Sequence, residues 1–256
     1  MIVNRLEDGF VLITQHHHAL ASGTMVRNWK EKYLIRSKVR EEADWAVAEH
    51  DRAWIPLDRH PLWNERKEQP FTFVDYPLKE KLAAYKRGID EVEQRSAYAA
   101  ILCSSHYQSF FSSGSQDADI RHFLDHETTR QERLFRTMEM NLPQDIYDLH
   151  FKRLQFCDDL SLYICAQQPG VAKEDELPWF KDGFRQHFEF APDGMIAHWK
   201  DESTVSVDPF PFERPIEVSI PYCQLAVDDI ESKGLQTAWD EAEVEYRHIA
   251  FVRPGE

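Results

Sequence analysis

Apolar residues recur at helical spacing over much of the chain, and this pattern constrains the fold more than any other sequence feature. It predicts helices over about 38–54, 78–111, 119–140 and 145–167. Only 9 of the 256 residues are glycine, which argues against a sandwich of many tightly turned strands. The sequence therefore predicts a mainly α protein whose helical core covers about residues 14–168.

Strand patterns are concentrated near the C-terminus. Segments 195–199 and 204–207 flank the polar segment 200–203 and predict a hairpin. Residues 216–220 alternate like a half-buried strand, and 248–252 resembles a final strand. A helix is predicted over about 229–243, and one further strand over 10–13. We expect an N-terminal strand and a small antiparallel β subdomain, about 190–256, within a single domain of residues 1–256.

The charge of the chain excludes several functions. Its 45 acidic and 30 basic residues give a net charge of −15, which disfavours a broad nucleic-acid surface. No run of 18 apolar residues predicts a membrane span, and the start is too acidic for a signal peptide. We expect a cytoplasmic protein without membrane contact, and the sequence leaves a homo-oligomer open.

The dipeptide His50-Asp51 is the first candidate for chemistry. On a helix both side chains would face apolar neighbours, among them Val47 and Trp54. An isolated dipeptide of this kind is more often a satisfied core pair than a ligand pair. Burying a histidine with a carboxylate is nevertheless costly unless the two are paired or hold a metal.

Three further segments offer inward-facing histidine or aspartate. Asp158 lies among core residues of an apolar helix and is favoured over its neighbour Asp159 as the inward carboxylate. His106 faces Leu102, Cys103 and Phe110 on another helix. His16, His17 and His18 stand where a strand passes into a helix, and the choice among these three stays open.

Imidazole and carboxylate ligands suit divalent iron, manganese, zinc or nickel. The set predicts a site for one or two such ions. A site with open positions lowers the pKa of a bound water and is typical of hydrolytic catalysis. The sequence contains neither a phosphate-binding P-loop motif nor a dinucleotide-binding glycine motif.

The order of these residues resembles the histidine–aspartate (HD) superfamily of metal-dependent phosphohydrolases. Most of the chain is also similar to an uncharacterised bacterial family of HD-like proteins, through 12–19, 49–54, 102–106, 157–163 and 208–212. The resemblance implies a helical HD-like core and a small phosphorylated or nucleotide substrate. It implies that the metal ligands are His18 (or His16), His50, Asp51 and Asp158. Asp51 and His106 would be catalytic, with Asp51 bridging two ions and His106 serving as a second-metal ligand or phosphate contact.

One departure from that family concerns the residues after the dipeptide. Arg52-Ala53-Trp54 stands where Asp/Asn-Gly-Trp is expected. Arg52 and Arg87, with Lys86 and His60, are candidate phosphate contacts. The departure also supports an alternative, a non-catalytic sensor or interaction protein with a vestigial metal site. A third hypothesis is that the metal activates oxygen instead of water.

Overall fold

The computed structural model describes residues 1–138 and 142–256. The predicted helix over 119–140 ends in the structure at Thr137, and residues 139–141 lie outside the described part. The helices are α1 (Gln15–Arg27), α2 (Arg40–Glu49), α3 (Ile55–Asp58), α4 (Leu78–Glu93), α5 (Ala97–Gln108), α6 (Ala118–Thr137), α7 (Gln144–Cys165), α8 (Val227–Lys233) and α9 (Leu235–Glu241).

The main sheet joins strands from both ends of the chain. Its strands are β1 (Ile2–Arg5), β2 (Gly9–Ile13), β5 (Ile196–Asp201), β6 (Thr204–Asp208), β7 (Ile216–Ala226) and β8 (Val244–Val252). They lie in the order β1-β2-β7-β8-β6-β5, and all neighbours are antiparallel except β6 and β8, which are parallel. A separate hairpin pairs β3 (Trp63–Asn64) with β4 (Gln69–Pro70).

The prediction of a mainly α fold with a small antiparallel C-terminal β subdomain is wrong. The chain is 47% helix and 20% strand, and it forms a mixed α/β fold around a curled six-stranded sheet. The error arises because β2 pairs with β7 across more than 200 residues, a contact that local periodicity cannot reveal. The sheet therefore does not follow the expected division into a helical core and a C-terminal β part, because it contains strands from both ends of the chain. The expectation that the chain is a single domain stays a prediction.

Both faces of β2 are covered, which explains its uninterrupted apolar sequence. Val11 and Ile13 belong to the main core, which also contains the inner faces of the helices. Phe10 and Leu12 point to the opposite face, where they pack with residues of α8 and α9. The sheet is therefore a central layer that anchors the start of α1 immediately after β2.

Two predicted helices are shorter or divided in the structure. The helix predicted to reach Trp54 ends at Glu49, so His50 and Asp51 lie in the turn that follows α2. The segment predicted as one helix over 229–243 is divided at Gly234, whose φ of 82° is incompatible with a continuous helix. Within the described residues, no helix combines the length and apolar character needed to cross a membrane.

Small residues allow the helices to approach closely around the His50-Asp51 turn. A Cβ placed on Gly23 of α1 would lie only 2.6 Å from the Cβ of Ala48 in α2. A Cβ on Gly88 of α4 would lie equally close to the Cα of Ala53. These two contacts hold the turn between α1 and α4, and they give Ala53 a packing role.

Candidate metal centre

Five histidine and aspartate side chains from four segments meet in the main core. His18 comes from α1, His50 and Asp51 from the turn after α2, His106 from α5 and Asp158 from α7. None of the five residues is more than 4% exposed. Helices α5 and α7 are buried on nearly all sides around these residues, which is why polar groups on them face one another and not solvent.

The closest contacts link the histidines to the two carboxylates. His18 Nε2 lies 2.8 Å from Asp51 Oδ2, and His50 Nε2 lies 3.8 Å from the same oxygen. His50 Nε2 also lies 3.3 Å from Asp158 Oδ1, and His106 Nε2 lies 3.6 Å from Asp158 Oδ2. All of these nitrogen and oxygen atoms therefore face a common interior region.

These residues form two groups that could hold a metal ion. The first is His18, His50 and Asp51, and the second is His50, His106 and Asp158. Within each group the potential ligand atoms lie within 4.8 Å of one another. His50 belongs to both groups, whereas the resemblance implied that Asp51 would be the shared ligand.

The hydrogen bond of His50 fixes which of its nitrogens is free. Its Nδ1 lies 2.8 Å from the carbonyl oxygen of Val47, an acceptor only, so Nδ1 carries a hydrogen. In the neutral ring Nε2 then presents a lone pair, and this buried atom has no hydrogen-bond partner within the described residues. A lone pair facing two buried carboxylates is stabilised only by a cation, either a proton or a metal ion.

Ser161 orients the ring of His18. The Ser161 hydroxyl lies 2.7 Å from His18 Nδ1 and 2.9 Å from the carbonyl oxygen of Asp158, so it joins the two residues and holds one edge of the imidazole. The Ser22 hydroxyl lies 2.9 Å from the Ser161 hydroxyl oxygen. It donates its hydrogen to that oxygen or to the nearby Cys157 carbonyl oxygen. The opposite ring nitrogen of His18, Nε2, is hydrogen-bonded to Asp51 Oδ2 at 2.8 Å, so a metal ion bound by these two atoms would take the place of the hydrogen between them.

We predict that Ser161→Ala lowers the affinity for Mn²⁺ by about tenfold, because His18 loses the hydroxyl that holds its Nδ1 edge in place. Competition with a fluorescent chelator measures the affinity. Ser105→Ala is the matched control, since Ser105 is also buried but bonds to Ile101 and Tyr147. Equal losses in the two variants would show that Ser161 has no special part in orienting His18.

The pKa values around the centre diverge. Burial alone would lower the pKa of His50, but the charges of Asp51 and Asp158 raise it to about 9. Burial lowers the pKa of His106 to about 4, although Asp158 opposes the shift. Burial also works to raise the pKa of both aspartates, yet His50 and its neighbours hold both below their usual range. Both carboxyls are therefore ionised at neutral pH.

Several candidates from the sequence lie outside the two groups. His16 and His17 are half-buried, and burial lowers the pKa of each. The His16 Nδ1 atom is buried without a hydrogen-bond partner in the described part of the chain. Asp159 turns from the centre and bonds to Arg185 and Gln186.

The candidate phosphate contacts lie at the surface. Arg52 is bound to Glu49 at 3.0 Å and Glu91 at 2.7 Å, so its charge is already matched. Arg87 is exposed and Lys86 is half-buried. His60 is exposed and lies 3.3 Å from Gln236 of α9. Their role as substrate contacts stays a prediction.

Sequence reasoning missed the supporting hydroxyls and two tyrosines. Ser161 and Ser22 follow Asp158 and His18 by three and four residues on apolar helix faces, and that spacing was the available signal. Tyr85 and Tyr107 stack at a centroid distance of 3.9 Å, and burial with the Asp51 charge raises the pKa of both. They form an apolar, neutral wall beside Asp51.

The fold and the cluster together define a mixed α/β protein with a buried histidine–aspartate centre that could bind a metal ion. The chain belongs to the family DUF3891, described as a protein of unknown function, whose family model matches residues 1–227. The matched part contains every residue of the centre. Searches of curated proteins and of solved structures found no match.

Proposed function

We propose that this protein is a metal-dependent phosphohydrolase that acts on a small phosphorylated molecule, such as a nucleotide. The observation that carries the proposal is the buried convergence of two carboxylates with the Nε2 atoms of His18 and His50. Within residues 1–138 and 142–256, no lysine or arginine lies at ion-pair distance from either carboxylate, so the histidines are their cationic partners. A divalent cation fits this donor set in charge and in ligand type.

The sharing of His50 supports a single ion. One imidazole lone pair binds one ion, so the two groups cannot be filled independently through His50 Nε2. We therefore propose that His18, His50, Asp51 and Asp158 hold one ion, with His106 as a further ligand. Iron, manganese, zinc and nickel all accept such ligands.

The order of the ligands along the chain supports a likeness in site chemistry to the HD superfamily. A histidine is followed by a His-Asp pair, a further histidine and a late aspartate, as the resemblance requires. This likeness concerns the site and not the fold, since the observed α/β architecture differs from the expected helical one. A shared site chemistry can occur on different folds.

The residues of the centre prepare it for attack on a phosphate ester. A bound divalent ion would supply a water of lowered pKa and a positive charge for the phosphoryl oxygens. Asp51 and Asp158, both ionised, balance the charge of the ion. His106 is neutral at pH 7 because burial lowers its pKa to about 4, so it serves as a ligand and not as a proton donor. Tyr85 and Tyr107 limit the access of bulk water.

Phosphate release from a panel of phosphomonoesters and nucleotides tests the proposal. Protein stripped with a chelator is expected to be inactive and to regain activity with one of Mn²⁺, Fe²⁺, Zn²⁺ or Ni²⁺. Asp51→Ala is expected to remain at the level of the stripped protein under every metal. Asp148→Ala, which removes an exposed carboxylate from α7, is expected to keep full activity.

The same assay decides between catalysis and a metal-binding sensor. The sensor alternative is favoured by Arg52, whose binding to Glu49 and Glu91 leaves it unavailable to a substrate phosphate. If the wild-type protein binds metal through Asp51 but releases phosphate from none of the substrates, the hydrolase proposal fails and the sensor function replaces it.

A further inference from the structure

A cavity of about 570 Å³ lies beside the metal centre, between the end of α5, α7 and the segment that precedes β5. We call it the aromatic cavity, and Phe110, Asp159, Leu162, Trp179 and Arg185 are among its lining residues. Its volume is in the range typical of small-molecule sites. It is therefore large enough for the organic part of a small substrate.

The aromatic cavity adjoins the centre through residues that neighbour two of its ligands. Phe110 packs against the ring of His106 at a centroid distance of 4.7 Å. Asp159 directly follows the ligand Asp158 on α7, and Leu162 stands one helical turn later. The walls of the cavity therefore border the ligands His106 and Asp158, on the side of the centre where the rest of a substrate would be held.

Two large aromatic side chains of the cavity are exposed. Trp179 is 57% and Phe110 is 47% exposed, although both have apolar surface that folding normally buries. An aromatic group bound in the cavity would cover part of this apolar surface and stack on a ring. The walls therefore favour a ring over a short aliphatic chain.

The charges of the cavity select against an anionic ring. Arg185 is already paired with Asp159, its Nε lying 3.2 Å from the carboxylate. Asp182 and Asp193 also line the cavity, and within the described residues neither has a cationic partner at ion-pair distance. A negative charge on the organic part of the ligand, in addition to that of its phosphate, would be repelled by these carboxylates. An ammonium group would be attracted by them and by the ring faces.

We propose that the aromatic cavity binds the organic part of the substrate and selects a neutral or cationic aromatic group over an anionic one. This inference rests on the proposed function, because it assigns the phosphate to the metal centre. Trp179 is then a specificity-determining residue of the reaction.

Calorimetry with phosphonates, which are not hydrolysed, tests the inference on the Mn²⁺-loaded protein. Phenylphosphonate is expected to bind about tenfold more tightly than ethylphosphonate, because only the phenyl ring covers Trp179. Trp179→Ala is expected to remove this difference. Tyr246→Ala, which removes an equally exposed aromatic residue from β8, is expected to preserve it.

Substituted rings test the charge selection. A 4-aminomethyl substituent on phenylphosphonate is expected to tighten binding and a 4-carboxylate to weaken it. Equal affinity for the phenyl and ethyl compounds, or tighter binding of the 4-carboxylate, would overturn this inference and leave the phosphohydrolase proposal standing. Failure of every phosphonate to bind would overturn both.

Discussion

Replacing Asp158 by asparagine is expected to lower the affinity for Mn²⁺ by a hundredfold to a thousandfold. The substitution preserves the shape of the side chain but removes the charge that faces both His50 and His106. The expected size, about 3–4 kcal/mol, is within the range for a buried charge left without its partner. Chelator competition at pH 7.5 measures the affinity, and circular dichroism confirms that the variant is folded.

Asp159→Asn provides the matched control for this experiment. Asp159 is the adjacent residue of α7, but its carboxylate bonds to Arg185 and Gln186 and belongs to neither metal group. Its replacement is expected to change the affinity for Mn²⁺ only slightly. If the two variants lose affinity equally, the assignment of Asp158 as the inward ligand is wrong.

Metal binding is expected to weaken about a hundredfold between pH 8 and pH 6. The pKa of His50 is raised to about 9 in the metal-free protein, so over this range its Nε2 carries a proton that the metal must displace. Each pH unit below 9 then lowers the apparent affinity about tenfold. His106, with a pKa of about 4, is neutral over the whole range and adds nothing to the slope.

The stability of the metal-free protein is expected to change in the opposite direction. The pKa of His50 lies above its value of 6.5 in the unfolded chain. Its protonation therefore stabilises the fold fully below pH 6.5, and this contribution is lost as the pH rises through 9. The melting temperature of the metal-free protein should thus fall from pH 6.5 to 9. A metal affinity independent of pH would contradict the raised pKa of His50.

Helical periodicity located much of the centre before the structure was known. It placed Asp158 on an inward face of α7 and His106 on an inward face of α5, because both helices carry apolar neighbours at three- and four-residue spacing. It also predicted that His50 and Asp51 point inward. Both side chains do point inward. The helix ends at Glu49, however, so they lie in a turn that the periodicity did not predict.

The remaining features depend on tertiary contacts. His18 differs from His16 and His17 only through the register of α1, which is set by β2 and by the close approach of Gly23 to Ala48. The sheet was underestimated because its centre is a pairing between distant strands. The attachment of Arg52 to Glu91 joins two segments 39 residues apart, and no local pattern indicates it.

An anomalous difference map from crystals grown with Mn²⁺ tests the central claim most directly. The account predicts one peak enclosed by His18, His50, Asp51 and Asp158, with His106 at its edge. Absence of a peak at these side chains in metal-loaded crystals, or a peak coordinated only by surface carboxylates, would contradict it.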